Sequence, residues 1–220
     1  MEPINYYDRP EVSNSVLSEL EKYWMPQTFI IDLEAAYRFG SLLDAMITEP
    51  MTVDYFKLKV AGIQYEKAEF EKAEAMKKAF FADPFCKSLA AQCEMQMVTI
   101  KPDFPIDYNG FKFSLDMRCK WDFFAPRIDL SGDLKSTAST TQKQFEQCIF
   151  HYNYDRQAAL YMDLENKSNF IFIGISKVAP FKIFKVPVKR GDAIYNSGKA
   201  KYQELAFKYW YLFGDLKQAA

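Results

Sequence analysis

Soft metal ligands are scarce in this 220-residue sequence, which holds one histidine, His151, and four cysteines with no CxxC pair. Cys86, Cys93, Cys119 and Cys148 are 7, 26 and 29 residues apart. That spacing excludes the compact Cys/His sets of structural zinc and the clustered cysteines of an iron–sulfur site. The thiols therefore read as free cysteines of a reducing compartment. Net charge is nearly absent too, with 28 Lys and Arg against 29 Asp and Glu, so a strongly basic coat for nucleic acid is excluded. No apolar run approaches the roughly 20 residues of a membrane span. The opening MEPINYYDRPEVSNS has neither a basic nor an apolar leader. The expectation is a soluble, cytoplasmic protein with no membrane partner. Apolar residues are plentiful at 49%, including 20 Phe and 14 Tyr, which is enough for a full core and excludes disordered or collagen-like classes. The length suits one domain over 1–220.

Three helices are predicted first. SNSVLSELEKYW is capped by Ser13 or Ser15. DLEAAYRFGSLLDAMITEP has helical apolar spacing interrupted at Gly40 and ended by Pro50. IQYEKAEFEKAEAMKKAFF, from Ile63 to about Phe81, carries alternating charges that read as solvated i,i+4 pairs. The pattern then turns to alternation in CEMQMVTI, in NGFKFSLDMRCKWDFF after the Asn109-Gly110 turn, and in RIDLSGDLKST. STASTTQ opens a helical region from about Gln142 to Leu164, NFIFIGISK and FKIFKVPV read as strands, and an amphipathic helix closes the chain from about Asp192 to Phe213. This order predicts an α/β (α+β) fold, a mixed central β-sheet flanked by helices. A helical part covers 1–90, the sheet with its helical insertion 91–190, and the closing helix 191–220.

In RIDLSGDLKST, period-2 alternation places Asp129, Ser131, Asp133 and Lys135 on one face and Ile128, Leu130 and Leu134 on the other. If Ala125-Pro126 turns the preceding strand into a hairpin, Asp122 approaches Asp133. Two carboxylates beside one ammonium supply hard oxygen ligands for Mg²⁺ and a lysine that orients or deprotonates water. A metal held there polarises a phosphoryl oxygen. Alone, D-x-K is equally the pattern of a solvent-facing ion-pair ladder. It gains weight from NYDRQAALY, where Gln157 and Tyr161 share one helix face at i and i+4.

Taken with KWD at Lys120–Asp122, GDLKST at Gly132–Thr137 and YDRQAALY at Tyr154–Tyr161, the chain resembles the PD-(D/E)xK nuclease superfamily. Within it, the QxxxY-bearing RecB-like branch is the match, and most of all the RecE-like (exodeoxyribonuclease VIII) nuclease domains of phages and prophages. EVSNSVLSEL, RFGSLLDAMITEP and RGDAIYNSGKAKYQELAF extend the resemblance over nearly the whole chain. It implies a restriction-endonuclease-like core and a Mg-dependent deoxyribonuclease, with Mn as a substitute. It also implies a 5′-to-3′ exonuclease on double-stranded DNA ends in phage-type recombination, passing its product to a single-strand annealing or recombinase protein, and a homo-oligomer.

By the same resemblance Asp122 and Asp133 are metal ligands, joined by the Leu134 carbonyl. Lys135 is the catalytic lysine that positions the attacking water. Gln157 and Tyr161 line the site and contact the DNA backbone or support the lysine. Glu94, on the first strand, has two readings, a ligand acting through water or an exposed strand charge. The chain departs from the family at Asp44, where a metal-binding His is usual. Asp is also a Mg²⁺ ligand, so Asp44 is carried over as one, with one more negative charge at the site. Trp121 replaces the motif's Pro, which carries no chemistry. Two other functions stay open: a catalytically silent DNA-binding or assembly protein, suggested by Asp44, and a single-strand-specific RecB-like exonuclease. His151 reads as structural or near the DNA path. Charge is unevenly spread, with nine acidic and three basic residues over 1–50 but eight basic and two acidic over 177–208. The basic stretch is either a solvated surface or a DNA-facing strip.

Overall fold

The computed structural model describes residues 6–24 and 33–214. After a single 3-10 turn at Tyr6–Asp8 comes α1 (Asn14–Trp24), where Ser13 Oγ accepts the Val16 N–H at 3.3 Å as a cap. Helix α2 (Leu33–Thr48) runs unbroken through Gly40, because tertiary packing outweighs one weak helix former. Between Val53 and Gln64, where only the start of a helix at Ile63 was expected, lies a small antiparallel sheet of β1 (Val53–Asp54), β2 (Lys59–Val60) and β3 (Ile63–Gln64). The charged helix α3 (Lys67–Ala82) therefore starts four residues later than predicted, with the Glu69 carboxylate accepting the Glu66 N–H at 2.8 Å. A further helix, α4 (Pro84–Gln92), follows at once, capped by Asp83 on the Cys86 N–H at 3.0 Å.

The main sheet has the spatial order β4 (Glu94–Tyr108), β5 (Phe111–Ala125), β6 (Leu130–Thr137), β7 (Asn169–Ser176), β8 (Ile183–Lys189). All neighbours are antiparallel except β6 and β7. That parallel pair needs a long crossover, made by α5 (Gln142–His151) and α6 (Tyr154–Leu164). The predicted single helical region is split at Asn153, which has a left-handed φ of 55°. Helix α7 (Ala193–Phe213) closes the described chain. None of the described helices is long and apolar enough to cross a membrane.

Helices cover both faces of the sheet, and β7 shows why. Phe170 and Phe172 point into a core shared with α1, α5, α6 and α7, whereas Ile171, Ile173 and Ile175 point into one shared with α2, α3 and α4. Such a strand, buried on both sides, reads as a continuous apolar run. One detail positions the functional residues. Strands β5 and β6 pair only where Phe123–Ala125 meet Leu130–Gly132, and beyond that point they part. The gap is reached by α2 from one face and α6 from the other.

Two helix glycines should respond oppositely to alanine. A Cβ at Gly198 would stand 1.9 Å from the Asp155 carbonyl oxygen, forcing α7 off α6. Gly198→Ala should cost about 1–3 kcal/mol or more in denaturant unfolding. A Cβ at Gly40 meets only Ser136 Oγ at 3.8 Å, so Gly40→Ala should be neutral or stabilise by up to about 1 kcal/mol.

Candidate active site

The gap between β5 and β6 gathers most of the residues singled out above. Asp122 on β5 accepts the Leu134 N–H through Oδ2 at 2.7 Å, so a side chain continues the bonding where the backbone ladder stops. Asp133 and Lys135 share one face of β6, with 2.7 Å between Lys135 Nζ and Asp133 Oδ2. Asp129, placed by alternation on that face, instead lies in the turn before β6, where its carboxylate accepts the Ser168 N–H at 2.8 Å. From α6, Gln157 reaches both partners: its amide donates to Asp133 Oδ1 and its Oε1 accepts from Lys135 Nζ at 3.1 Å. The lysine also sits over the Tyr154 ring, 4.7 Å from its centroid. Tyr161, one turn beyond Gln157, packs edge-on against Trp121 in the core.

Asp44 enters from α2. Its carboxylate accepts from Gln96 Nε2 at 3.0 Å and from Thr48 Oγ1 at 3.2 Å, and Gln96 Nε2 donates to Thr48 Oγ1 at 2.7 Å. Gln96 is the residue sequence reasoning missed. It falls opposite Asp122, between the pairs Met95–Phe123 and Met97–Trp121, with a left-handed φ of 55°. Glu94, two residues earlier, is an exposed residue at the start of β4.

Electrostatics at this point are dominated by like charge. Burial and the nearby Asp133 carboxylate push the Asp44 carboxyl up to about 6, against the opposing pull of Thr48 and Lys120. Burial, Asp44 and Asp133 together raise Asp122 well above the ordinary carboxylate range. Burial works against the charge on Lys135, but Asp133, Tyr154 and Asp122 outweigh it and raise its pKa. The lysine is an ammonium at neutral pH.

The donor set suits a hard divalent cation, being carboxylate oxygens from three separate elements with the backbone of Leu134 between them. Asp133 Oδ2 is buried without a well-aligned hydrogen bond, although Lys135 is near. Among the described residues, however, no three His, Cys, Asp or Glu side chains already stand as a metal cage. Each acid is turned to a donor of its own: Asp44 to Gln96 and Thr48, Asp122 to Leu134, Asp133 to Lys135 and Gln157. Three mutually repelling carboxylates, each held by separate donors, have the chemistry to take up a cation and release those contacts.

The basic stretch expected as a DNA strip is largely engaged inside the fold. Lys185 pairs with Asp83, Arg190 and Lys199 with Asp163, Lys201 with Asp155 and Lys208 with Glu204. That leaves Lys177, Lys182 and Lys189 outside the ion pairs among the described residues. The four cysteines are free.

Among solved structures, a candidate exonuclease from Eubacterium rectale superposes with a TM-score of 0.57 at 18% identity, over 86% of this chain and 69% of that one. A phage-related exonuclease from Haemophilus somnus 129PT aligns over 91% of this chain and 95% of its own, with 15% identity and a TM-score of 0.41. No curated protein matches. Residues 11–213 match the family profile of a PDDEXK-like domain of unknown function (DUF3799). The chain belongs to that PDDEXK-like family, and its mixed five-stranded sheet between helices is the restriction-endonuclease-like core.

Proposed function

We propose that this protein is a Mg²⁺-dependent deoxyribonuclease, with Mn²⁺ as a substitute, acting as a 5′-to-3′ exonuclease on duplex DNA ends. One observation carries the reading. Asp44, Asp122 and Asp133 crowd the gap beside Lys135 closely enough for Asp44 and Asp122 to be pushed towards protonation. A purely structural site would not gather like charges this way, because uncompensated burial of a carboxylate is costly. Membership of the PDDEXK-like family and the fold shared with the E. rectale candidate exonuclease support the same class.

In this reading Asp44, Asp122, Asp133 and the Leu134 carbonyl hold the cation, which supplies charge neutralisation and Lewis acidity at the phosphodiester when bound. The Lys135 ammonium orients the attacking water. Being charged, it acts by hydrogen bonding and by stabilising the negative charge that develops, not as a base. Gln157 keeps the lysine and Asp133 in register, and Tyr161 supports the strand beneath them through Trp121. Glu94 is the least engaged of the residues carried over. The turning of Asp44 towards Gln96 and Thr48 favours a second reading, a DNA-binding protein that has lost the metal.

Incubation of the purified protein with end-labelled linear duplex and Mg²⁺ or Mn²⁺ separates the two. Cleavage from the 5′ end, abolished by EDTA and reduced about 10²-fold or more in Lys135→Ala, is expected; intact DNA would sink the nuclease reading.

Stability should report the cation independently. Asp44 and Asp122 have folded-state pKa values above their unfolded ones, so the folded protein binds more protons. The stability they contribute is present at low pH and lost as pH rises, for Asp44 through about 6. Without divalent metal, the melting temperature should therefore fall between about pH 4 and pH 7. Mg²⁺ or Mn²⁺ should raise it more at about pH 7.5 than at about pH 5, because cation and proton compete. Asp44→Asn should melt a few degrees higher than wild type at neutral pH without metal and lose the metal-induced rise. Identical metal responses in wild type and variant would remove Asp44 from the site.

A further inference from the structure

Beside the proposed site lies a surface depression of about 560 Å³ that the mechanism does not use. Ser139 and Thr140, just past the end of β6, form one wall, and Gln144, Gln147, His151 and Tyr152 of the α5 side form the other. No carboxylate lines it. The amide of Gln147 and the ring nitrogens of His151 have no hydrogen-bond partner among the described residues, whereas Gln144 Oε1 is held by the Thr140 and Thr141 N–H groups at 2.8 and 3.1 Å. Lys182 stands at the rim, its Nζ 3.5 Å from the Thr140 carbonyl oxygen.

Aromatic rings connect this depression to the lysine. Lys135 covers the Tyr154 ring, Tyr154 lies 5.7 Å from Tyr152 between centroids, and Tyr152 lies 4.6 Å from His151. The geometry depends on the break between α5 and α6. Asn153 is held in its left-handed conformation from two sides: Glu21 of α1 accepts from its amide at 3.1 and 3.2 Å, and Lys201 of α7 donates to its Oδ1 at 2.9 Å. A non-glycine residue persists there when its surroundings over-determine it. The pinned break leaves Tyr152 and His151 exposed at the surface beside the lysine's own aromatic neighbour.

We infer that this depression is a nucleobase subsite, receiving the base of an unpaired nucleotide next to the phosphodiester at Lys135. Tyr152 supplies the stacking face, and His151, nearly perpendicular to it at 79°, borders the base. At the base edge the Gln147 amide both donates and accepts, Gln144 Nε2 donates, and Thr140 Oγ1, whose proton goes to Gln144 Oε1 at 3.0 Å, accepts, so no base is strongly preferred. Lys182 meets the backbone phosphate. Stacking of this kind tolerates any sequence, since every base presents a π face. The inference rests on the nuclease reading for the identity of the strand, and it adds that the strand is single where it passes this wall.

The test is fluorescence anisotropy in Ca²⁺ with a labelled single-stranded oligodeoxynucleotide about 10 nucleotides long, compared with an abasic backbone of the same length. Tyr152→Ala combined with Gln147→Ala should weaken binding of the normal oligonucleotide about 5- to 100-fold. Tyr152→Phe should retain it, and the abasic strand should bind wild type and variants alike. Both altered side chains are exposed, and a thermal melt checks that the variants fold. Equal binding of normal and abasic strands by wild type, or an unchanged double variant, would overturn the subsite. Cleavage of linear duplex in Mg²⁺ is scored alongside. Wild type that cleaves while the variant binds normally leaves the nuclease reading intact and the subsite refuted. Wild type that binds through Tyr152 but cuts nothing leaves the subsite intact and the nuclease reading refuted.

Discussion

Three carboxylates held beside one ammonium at a split in a sheet are the constraint on which the rest of this structure turns. Asp122 and Asp133 come from strands that pair for three residues and then diverge, and Asp44 comes from a helix on the opposite face from α6. Their repulsion works to open the gap, so the elements that deliver them must be anchored elsewhere. Helix α6, which supplies Gln157, is the best anchored of all. Arg156, 2% exposed, donates to Asn14, Ser18 and Glu21 of α1. Asp155 accepts from Ser197 and Lys201 of α7 at 2.7 and 2.8 Å. At the other end Asp163 accepts from Arg190, Tyr195 and Tyr202. Breaking a buried pair by removing one partner costs about 3–5 kcal/mol, so these contacts fix the helix far more firmly than surface pairs would.

The same anchoring accounts for the charge distribution. The basic residues of the C-terminal third look, in sequence, like a strip for DNA. In the fold, Arg190, Lys199 and Lys201 serve the acids of α6, and Lys185 ties β8 to Asp83 at the head of α4. Near-neutral net charge is thus what a structure stapled by internal ion pairs produces. Any affinity for a phosphate backbone must then come from local groups at the gap and its rim, not from a broad electrostatic field.

How far the site was legible in sequence follows from which parts depend on period alone. Asp133 and Lys135 share a face because alternation is a property of any strand, and Asp122 faces them because Ala125-Pro126 makes a short hairpin. Gln96 was illegible for the converse reason. Counting back across the Asn109-Gly110 turn with an even ladder puts Met97 opposite Asp122. A register irregularity between Lys101 and Phe104 shifts the pairing by one, and Gln96 takes that place in a left-handed conformation. The break at Asn153 was hidden similarly, since the residues on both sides of it are helical in pattern and only tertiary contacts to Glu21 and Lys201 hold it open. Gly40 erred the other way: its low propensity suggested an interruption that packing against β6 overrides.

Asp44 draws these strands together. With Gln96 and Thr48 it forms a hydrogen-bonded unit that satisfies the carboxylate, and with Asp122 and Asp133 it forms a buried cluster of like charges that raises the pKa values of Asp44 and Asp122. A histidine in that place could be neutral and would add no negative charge. Aspartate there is satisfied by either a proton or the Gln96 amide. The bulge in β4 that brings Gln96 to this position and the acid on α2 therefore belong to one solution. A site carrying an extra negative charge needs an extra donor close at hand, and this chain supplies it from the edge strand of the sheet.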